Sequence, residues 1–206
     1  MRRIGDTAIA AFTAFALGTG VWLLGTGTGT PPQPSAAEGR PEPGGARGGA
    51  TPLMASPPTR IRIPAIRVNA PLMGLSLTSS GSLDVPPPAE KNLAGWYKAG
   101  TTPGDTGTAV VAGHVDNTEG PAVFYDLGAL RRGATIEVDR EDATTAVFTV
   151  DSVEVYSAKN FPDSKVYGAS SRPELRVITC GGGYSKSTGY QGNVVVFAHL
   201  TGAHGT

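Results

Sequence analysis

One thiol and three imidazoles are the residues of this chain best suited to covalent chemistry. Cys180 is the only cysteine, and the histidines are His114, His199 and His204. Without a second cysteine there is no internal disulfide. Cys180 ends the apolar run Leu175-Arg176-Val177-Ile178-Thr179 and is followed by Gly181-Gly182-Gly183. Glycines there let other backbone come close, so the thiol is placed as a nucleophile is placed. An inert buried cysteine is the competing reading.

A cysteine nucleophile needs a base and an acid. His204 lies in the terminal Gly202-Ala203-His204-Gly205, where order is not expected. His199 follows the run Val194 to Ala198, where strand parity or the chain end can leave it in solvent. His114 stands in Ala109-Val110-Val111-Ala112-Gly113-His114-Val115-Asp116, at the exit of a buried strand and after a glycine. If the two strands are neighbours, thiol and imidazole meet. The alternative is a histidine satisfied in its loop by Asp116 or a backbone carbonyl.

The elements that must position these groups are strands. Candidates run from Thr59 to Ile63, Val68 to Leu72, Thr108 to Ala112, Thr135 to Asp139, Thr145 to Tyr156, Leu175 to Thr179 and Asn193 to His199. They are rich in Val, Ile, Thr and Phe, and several alternate apolar with polar. Helical signals are short, one near Pro121 to Leu127 and one before Arg172. A mainly β barrel or sandwich of one domain follows. Formal net charge is zero and 17% of residues are charged, so nothing points to a nucleic-acid groove. Arg60, Arg62 and Arg67 alternate with isoleucines and read as the wet face of a strand.

Arg2 and Arg3 precede a stretch from Thr7 to Thr30 without a charged residue. About 20 apolar residues span a bilayer, with flanking positive charge on the cytoplasmic side. Residues 1–30 therefore read as a single-pass membrane anchor with a cytoplasmic N-terminus and the remainder outside the cell. A secretory signal cleaved near Ser35-Ala36-Ala37 is the other reading. Residues 31–58, rich in Gly, Pro, Ala, Ser and Thr, are expected to form a disordered tether. A domain over 59–201 and a tail over 202–206 complete the organisation.

At these residues the chain resembles the sortase family, in particular the actinobacterial sortases grouped as classes E and F. The resemblance runs through Ile63-Pro64-Ala65-Ile66, Val68-Asn69-Ala70-Pro71, Asn92-Leu93-Ala94-Gly95-Trp96-Tyr97 and the block from Pro103 to Asp116. It continues through Gly120-Pro121-Ala122-Val123-Phe124-Tyr125-Asp126-Leu127 and Pro173 to Gly182. It implies an eight-stranded β-barrel with a few short helices. It also implies transpeptidation of secreted proteins bearing a C-terminal LPXTG-like sorting signal, onto an amine such as that of a peptidoglycan precursor. Cys180 carries over as the acyl-thioester nucleophile and His114 as the general acid and base. No metal or cofactor is implied.

One departure stands out. Sortases generally carry an arginine on the last strand, and here no arginine follows Arg176. Gln191 or Asn193 falls near its place, and either amide can donate a hydrogen bond to an oxyanion; backbone N–H groups of Gly181 to Gly183 and Lys186 are further candidates. Two other readings remain open. One is a sortase-like binding module without catalysis. The other is a different secreted Cys/His acyl enzyme, such as an L,D-transpeptidase, although its Ser-His-Gly-Cys run is missing.

Overall fold

A computed structural model describes residues 30–39, 50–187 and 189–205. The anchor read over residues 1–30 lies, but for Thr30, outside them. No helix among the described residues is long and apolar enough to cross a membrane. The strands are β1 (Pro58–Ile63), β2 (Val68–Leu75), β3 (Ala94–Tyr97), β4 (Gly107–Gly113), β5 (Asp116–Asn117), β6 (Gly120–Pro121), β7 (Thr135–Arg140), β8 (Thr144–Ser157), β9 (Pro173–Ser185) and β10 (Gly189–Gly205). Eight close a barrel in the order β1-β2-β3-β4-β9-β10-β8-β7, and β5 pairs with β6 in a separate ribbon. Closure removes the sheet edges that would otherwise offer unpaired backbone groups.

Strand alternation sorts the side chains into two apolar clusters. Ile61, Ile63, Val111, Phe148, Leu175, Val177, Val194, Val196 and Leu200 fill the barrel. Ile178, Val195, Phe197, Val110 and Ala112 form a second cluster with Leu83 and Val166 on the outer wall. Because successive side chains alternate, β9 sends Val177 inward and Ile178 outward. Arg176 and Cys180 share the outer parity. The same rule puts Asn193 outside beside Val195.

All seven expected strands form, most of them longer at one or both ends. β3 was not among them: Ala94-Gly95-Trp96-Tyr97 is too short to show a period. It forms because it lies parallel to β2 and antiparallel to β4. Gly95 permits this, since a Cβ there would sit 2.5 Å from Leu75 Cγ. The helical turn expected near Pro121 is instead the β6 bridge followed by a 3-10 turn at Leu127–Ala129. The helix α1 (Asp163–Tyr167) precedes Arg172 and buries Val166.

Three expectations need correction. Described parts of the 31–58 segment pack on the barrel rather than forming a free tether. The Leu53 amide donates to Gly104 O at 2.8 Å, and the buried Arg140 guanidinium donates to Pro103 O and Met54 O. Farther upstream, the Val153 amide donates to Glu38 O and Arg132 N to the Glu38 carboxylate. Composition hides this because the ties are backbone groups and a few side chains whose partners lie far along the chain. In the terminal segment, β10 runs to Gly205, paired with Thr144, so residues 202–205 extend the sheet. Finally, Cys180 does not end its strand: β9 continues through all three glycines to Ser185, with Gly181 opposite Gly192.

Candidate active site

β4 and β9 run parallel, with Gly107 opposite Pro173 and Ala112 opposite Ile178. Thr179 Oγ1 donates to Gly113 O at 2.8 Å across an offset of 66 residues. That offset also separates His114 from Cys180. The register therefore carries His114, just past β4, and Cys180 to matching positions on the outer wall that Ile178 and Ala112 share. Neighbouring strands lie about 4.8 Å apart, so groups at matching positions are within side-chain reach. Both residues are partly buried.

Gly113 makes the exit possible. A Cβ there would meet the Phe124 ring at 2.7 Å and Val123 at 2.8 Å. Its smallness thus lets residues 123 and 124 pack under the strand end, and the Phe124 amide donates to His114 O at 3.0 Å. On the other side, Gly182 and Gly183 have φ of 78° and 94°. These left-handed conformations favour glycine and accompany the register shift between Tyr190 and Gly192.

His114 Nε2 lies 2.7 Å from Pro86 O. A carbonyl only accepts, so Nε2 carries the proton and Nδ1 is the basic nitrogen of the neutral ring. The loop that supplies Pro86 is held by Leu83, buried among the outer apolar cluster, and by Asn117 Nδ2 donating to Pro88 O at 2.8 Å. The contact with a backbone carbonyl anticipated as an alternative for His114 is thus present, and it leaves one ring nitrogen for proton transfer.

Asp116 and Tyr190 complete the cluster. The Tyr190 hydroxyl donates to Asp116 Oδ2 at 2.5 Å, tying β5 to β10. Burial pushes the Asp116 carboxyl above its usual range, against the lowering effects of the Tyr190 hydrogen bond and the His114 charge. The Cys180 thiol is pushed up to about 12, chiefly by burial and further by the Asp116 charge. At neutral pH the sulfur is therefore a thiol. Burial and the Asp116 hydrogen bond also raise Tyr190, which stays protonated. Tyr125 lies near enough to feel Asp116.

Of the two amides considered for the missing arginine, Asn193 lies directly opposite Cys180 in the ladder. It is buried, and its Nδ2 donates to Thr179 O at 3.4 Å. An amide nitrogen has two N–H bonds, and this contact uses one. Gln191 is exposed at the register shift between Tyr190 and Gly192, and Lys186 is exposed in the hairpin turn. Arg176 shares the outer wall but is bound to Glu174 at 2.6 Å and lies over the Phe197 ring. His199 is not in solvent: it is nearly buried, with Nδ1 2.7 Å from Asp151 Oδ1.

Reading the sequence alone assigns no site role to Asp116 or Tyr190. Asp116 stands two residues after His114, a visible signal; Tyr190 carries none, because only the bulge before Gly192 brings it over β5.

A closed β-barrel of eight strands, with a cysteine on β9 and a histidine just past the end of the adjoining parallel strand β4, narrows the class of protein. The family model for the sortase domain matches residues 61–201, well over half of the chain, and the protein belongs to the sortase family. Among solved structures it is similar to sortase A of Listeria monocytogenes, with a TM-score of 0.54, 16% identity, and coverage of 74% of this chain and 92% of that one. It is similar to the SrtA sortase of Actinomyces oris, with a TM-score of 0.54, 19% identity, and coverage of 79% and 89%. Sortase E1 of Streptomyces coelicolor, solved with a tripeptide in its active site, gives a TM-score of 0.53, 16% identity, and coverage of 74% and 94%. At these identities the likeness is one of fold. No curated protein matches the chain in sequence.

Proposed function

We propose that the protein is a cysteine transpeptidase that cleaves an LPXTG-like sorting signal and transfers the acyl group to an amine. The observation that carries this reading is the β4–β9 register, extended by the Thr179–Gly113 bond, which brings His114 and Cys180 to matching positions on one outer wall. When a peptide enters, His114 Nδ1 takes the thiol proton and the sulfur attacks the threonine carbonyl. The tetrahedral adduct collapses, the imidazolium gives its proton to the departing glycine amine, and a thioester to Cys180 remains. An incoming amine then attacks the thioester and loses a proton to His114. The new amide forms as the Cys180 sulfur leaves and takes that proton back from His114, which restores the thiol. No ATP is needed, because the thioester retains the energy of the cleaved peptide bond.

Asn193 is the donor best placed to face the oxyanion, being opposite Cys180 on the same face. The acceptor on this reading is a cell-wall precursor amine. Arg2, Arg3 and the uncharged stretch after them support a membrane anchor that leaves the barrel outside the cell.

The test is incubation of the protein with an LPXTG peptide and an amine, followed by mass spectrometry. A Cys180-linked acyl adduct and a ligated product are expected. Equal turnover by Cys180→Ala would overturn the proposal. Peptide binding without any adduct would instead favour a binding module.

A further inference from the structure

Beside the β4–β9 ladder and the Thr179–Gly113 bond, the Asp116–Tyr190 bond ties the histidine loop to β10. Asp116 lies on β5, just after His114; Tyr190 lies on β10, just before the residues that pair with Cys180. Tyr190 also meets Tyr184 edge to face at 5.2 Å, so the hairpin tip of β9 and β10 hangs on this aromatic pair. Gly182 and Gly183, both in left-handed conformations, make the strand between Cys180 and Tyr184 intrinsically easy to move. A latch here holds the thiol in place relative to the imidazole.

The carboxylate has a second effect that the phenol cannot supply. Among the described residues Asp116 forms no ion pair with a lysine or arginine. The charges and titratable groups around it are His114 beyond β4, Cys180 on β9, Tyr190 on β10, and Tyr125 after β6 with Asp126 behind it. Its negative charge opposes an anion on Cys180 and favours a cation on His114, by Coulomb's law in a partly buried site.

We propose that Asp116, latched by Tyr190, is a positioning residue of this site. It ties the β9–β10 hairpin to the histidine loop, keeps the resting proton on the Cys180 sulfur and stabilises the imidazolium that protonates the leaving amine. This rests on the transpeptidase reading for its last part only.

The two roles separate in two variants. Asp116→Asn removes the charge but keeps an oxygen that accepts from Tyr190. Tyr190→Phe removes the latch but keeps the charge. Because Cys180 is the only cysteine, iodoacetamide alkylation of the full chain, followed by intact mass, reports it alone. Loss of a nearby like charge lowers a thiol by roughly one pH unit. At pH 8 that gives about tenfold more thiolate, offset by weaker nucleophilicity to a net gain of about threefold in alkylation rate.

Asp116→Asn is therefore expected to alkylate about threefold faster than wild type while transferring peptide at least about tenfold more slowly. Tyr190→Phe is expected to slow transfer without speeding alkylation. An unchanged alkylation rate in Asp116→Asn, or wild-type transfer by it, would overturn the proposal. So would equal acceleration in Tyr190→Phe, because the thiol would then be answering to a loosened hairpin rather than to charge. If the wild type transfers no peptide yet the alkylation pattern holds, the transpeptidase reading fails while the charge effect of Asp116 stands.

Discussion

The outer wall of β9 and β10 carries a polar cluster at each end, and each contains one histidine and an aspartate. At one end, His199 meets Asp151 at 2.7 Å, Arg172 meets Glu174 at 2.8 Å and Arg176 meets Glu174 at 2.6 Å. At the other, Asp116 has a phenol and an imidazole for neighbours. Glu174 and Asp116 consequently shift in opposite directions. Burial would raise Glu174, but the hydrogen bonds from Arg176 and Arg172 outweigh it and hold it low. At Asp116 burial prevails and the carboxyl is raised. Where every charge is matched by a fixed cation, the cluster is structural. Where a carboxylate faces a phenol, an imidazole and a thiol, with no fixed cation among the described residues, the cluster suits the proton transfer proposed for it.

The sharpest way to break this contrast is at Cys180 and His114. Cys180→Ala is expected to abolish transfer, and His114→Ala to reduce it by about 100- to 10,000-fold, both with unchanged circular dichroism. Full activity in His114→Ala would reduce the site to one more structural cluster. The opposite end should respond in stability instead. Glu174→Gln leaves the buried Arg176 charge without its carboxylate and is expected to cost about 3 kcal/mol, read by urea denaturation at pH 7.

The pH dependence follows from the signs. Glu174 is depressed in the folded state, so its contribution is present above its ordinary value near 4.5 and is lost as pH falls through the lowered one. Glu174→Gln should therefore flatten the acid limb of the stability curve. Asp116 is raised, so its ionised form works against the fold at neutral pH. Asp116→Asn is expected to raise the melting temperature while it slows transfer; a lower melting temperature would show that Asp116 is simply another structural carboxylate.

The two amides sharpen the comparison further. Asn193→Ala removes a neutral donor opposite Cys180 and is expected to slow transfer by about tenfold, the worth of one such hydrogen bond. Gln191→Ala, on an exposed side chain, is expected to leave kcat/KM within about twofold of wild type. A larger loss at Gln191 than at Asn193 would reverse the assignment of the oxyanion donor.

Local pattern carried much of this protein. Runs of Val, Ile and Thr announced seven strands, because an alternating or continuously apolar stretch has few other ways to bury itself. Cys180 and His114 were legible as well, since a reactive side chain beside glycine at the edge of such a run is unusual in composition and place. The sequence by itself thus determined which residues could react and that strands would carry them.

Register and long-range contact were settled elsewhere. That His114 stands beside Cys180 depends on β4 and β9 pairing in parallel at one offset, and no local preference selects among offsets. Tyr190 reaches Asp116 only through the bulge before Gly192, and Arg140 captures Met54 O and Pro103 O across great chain separation. Leu53 and Glu38 bond only where the barrel offers them partners, so a stretch whose composition reads as a tether is partly bound. Hydrogen bonds and burial between distant segments exist only after closure, which is why tertiary structure alone decided how the site is held together.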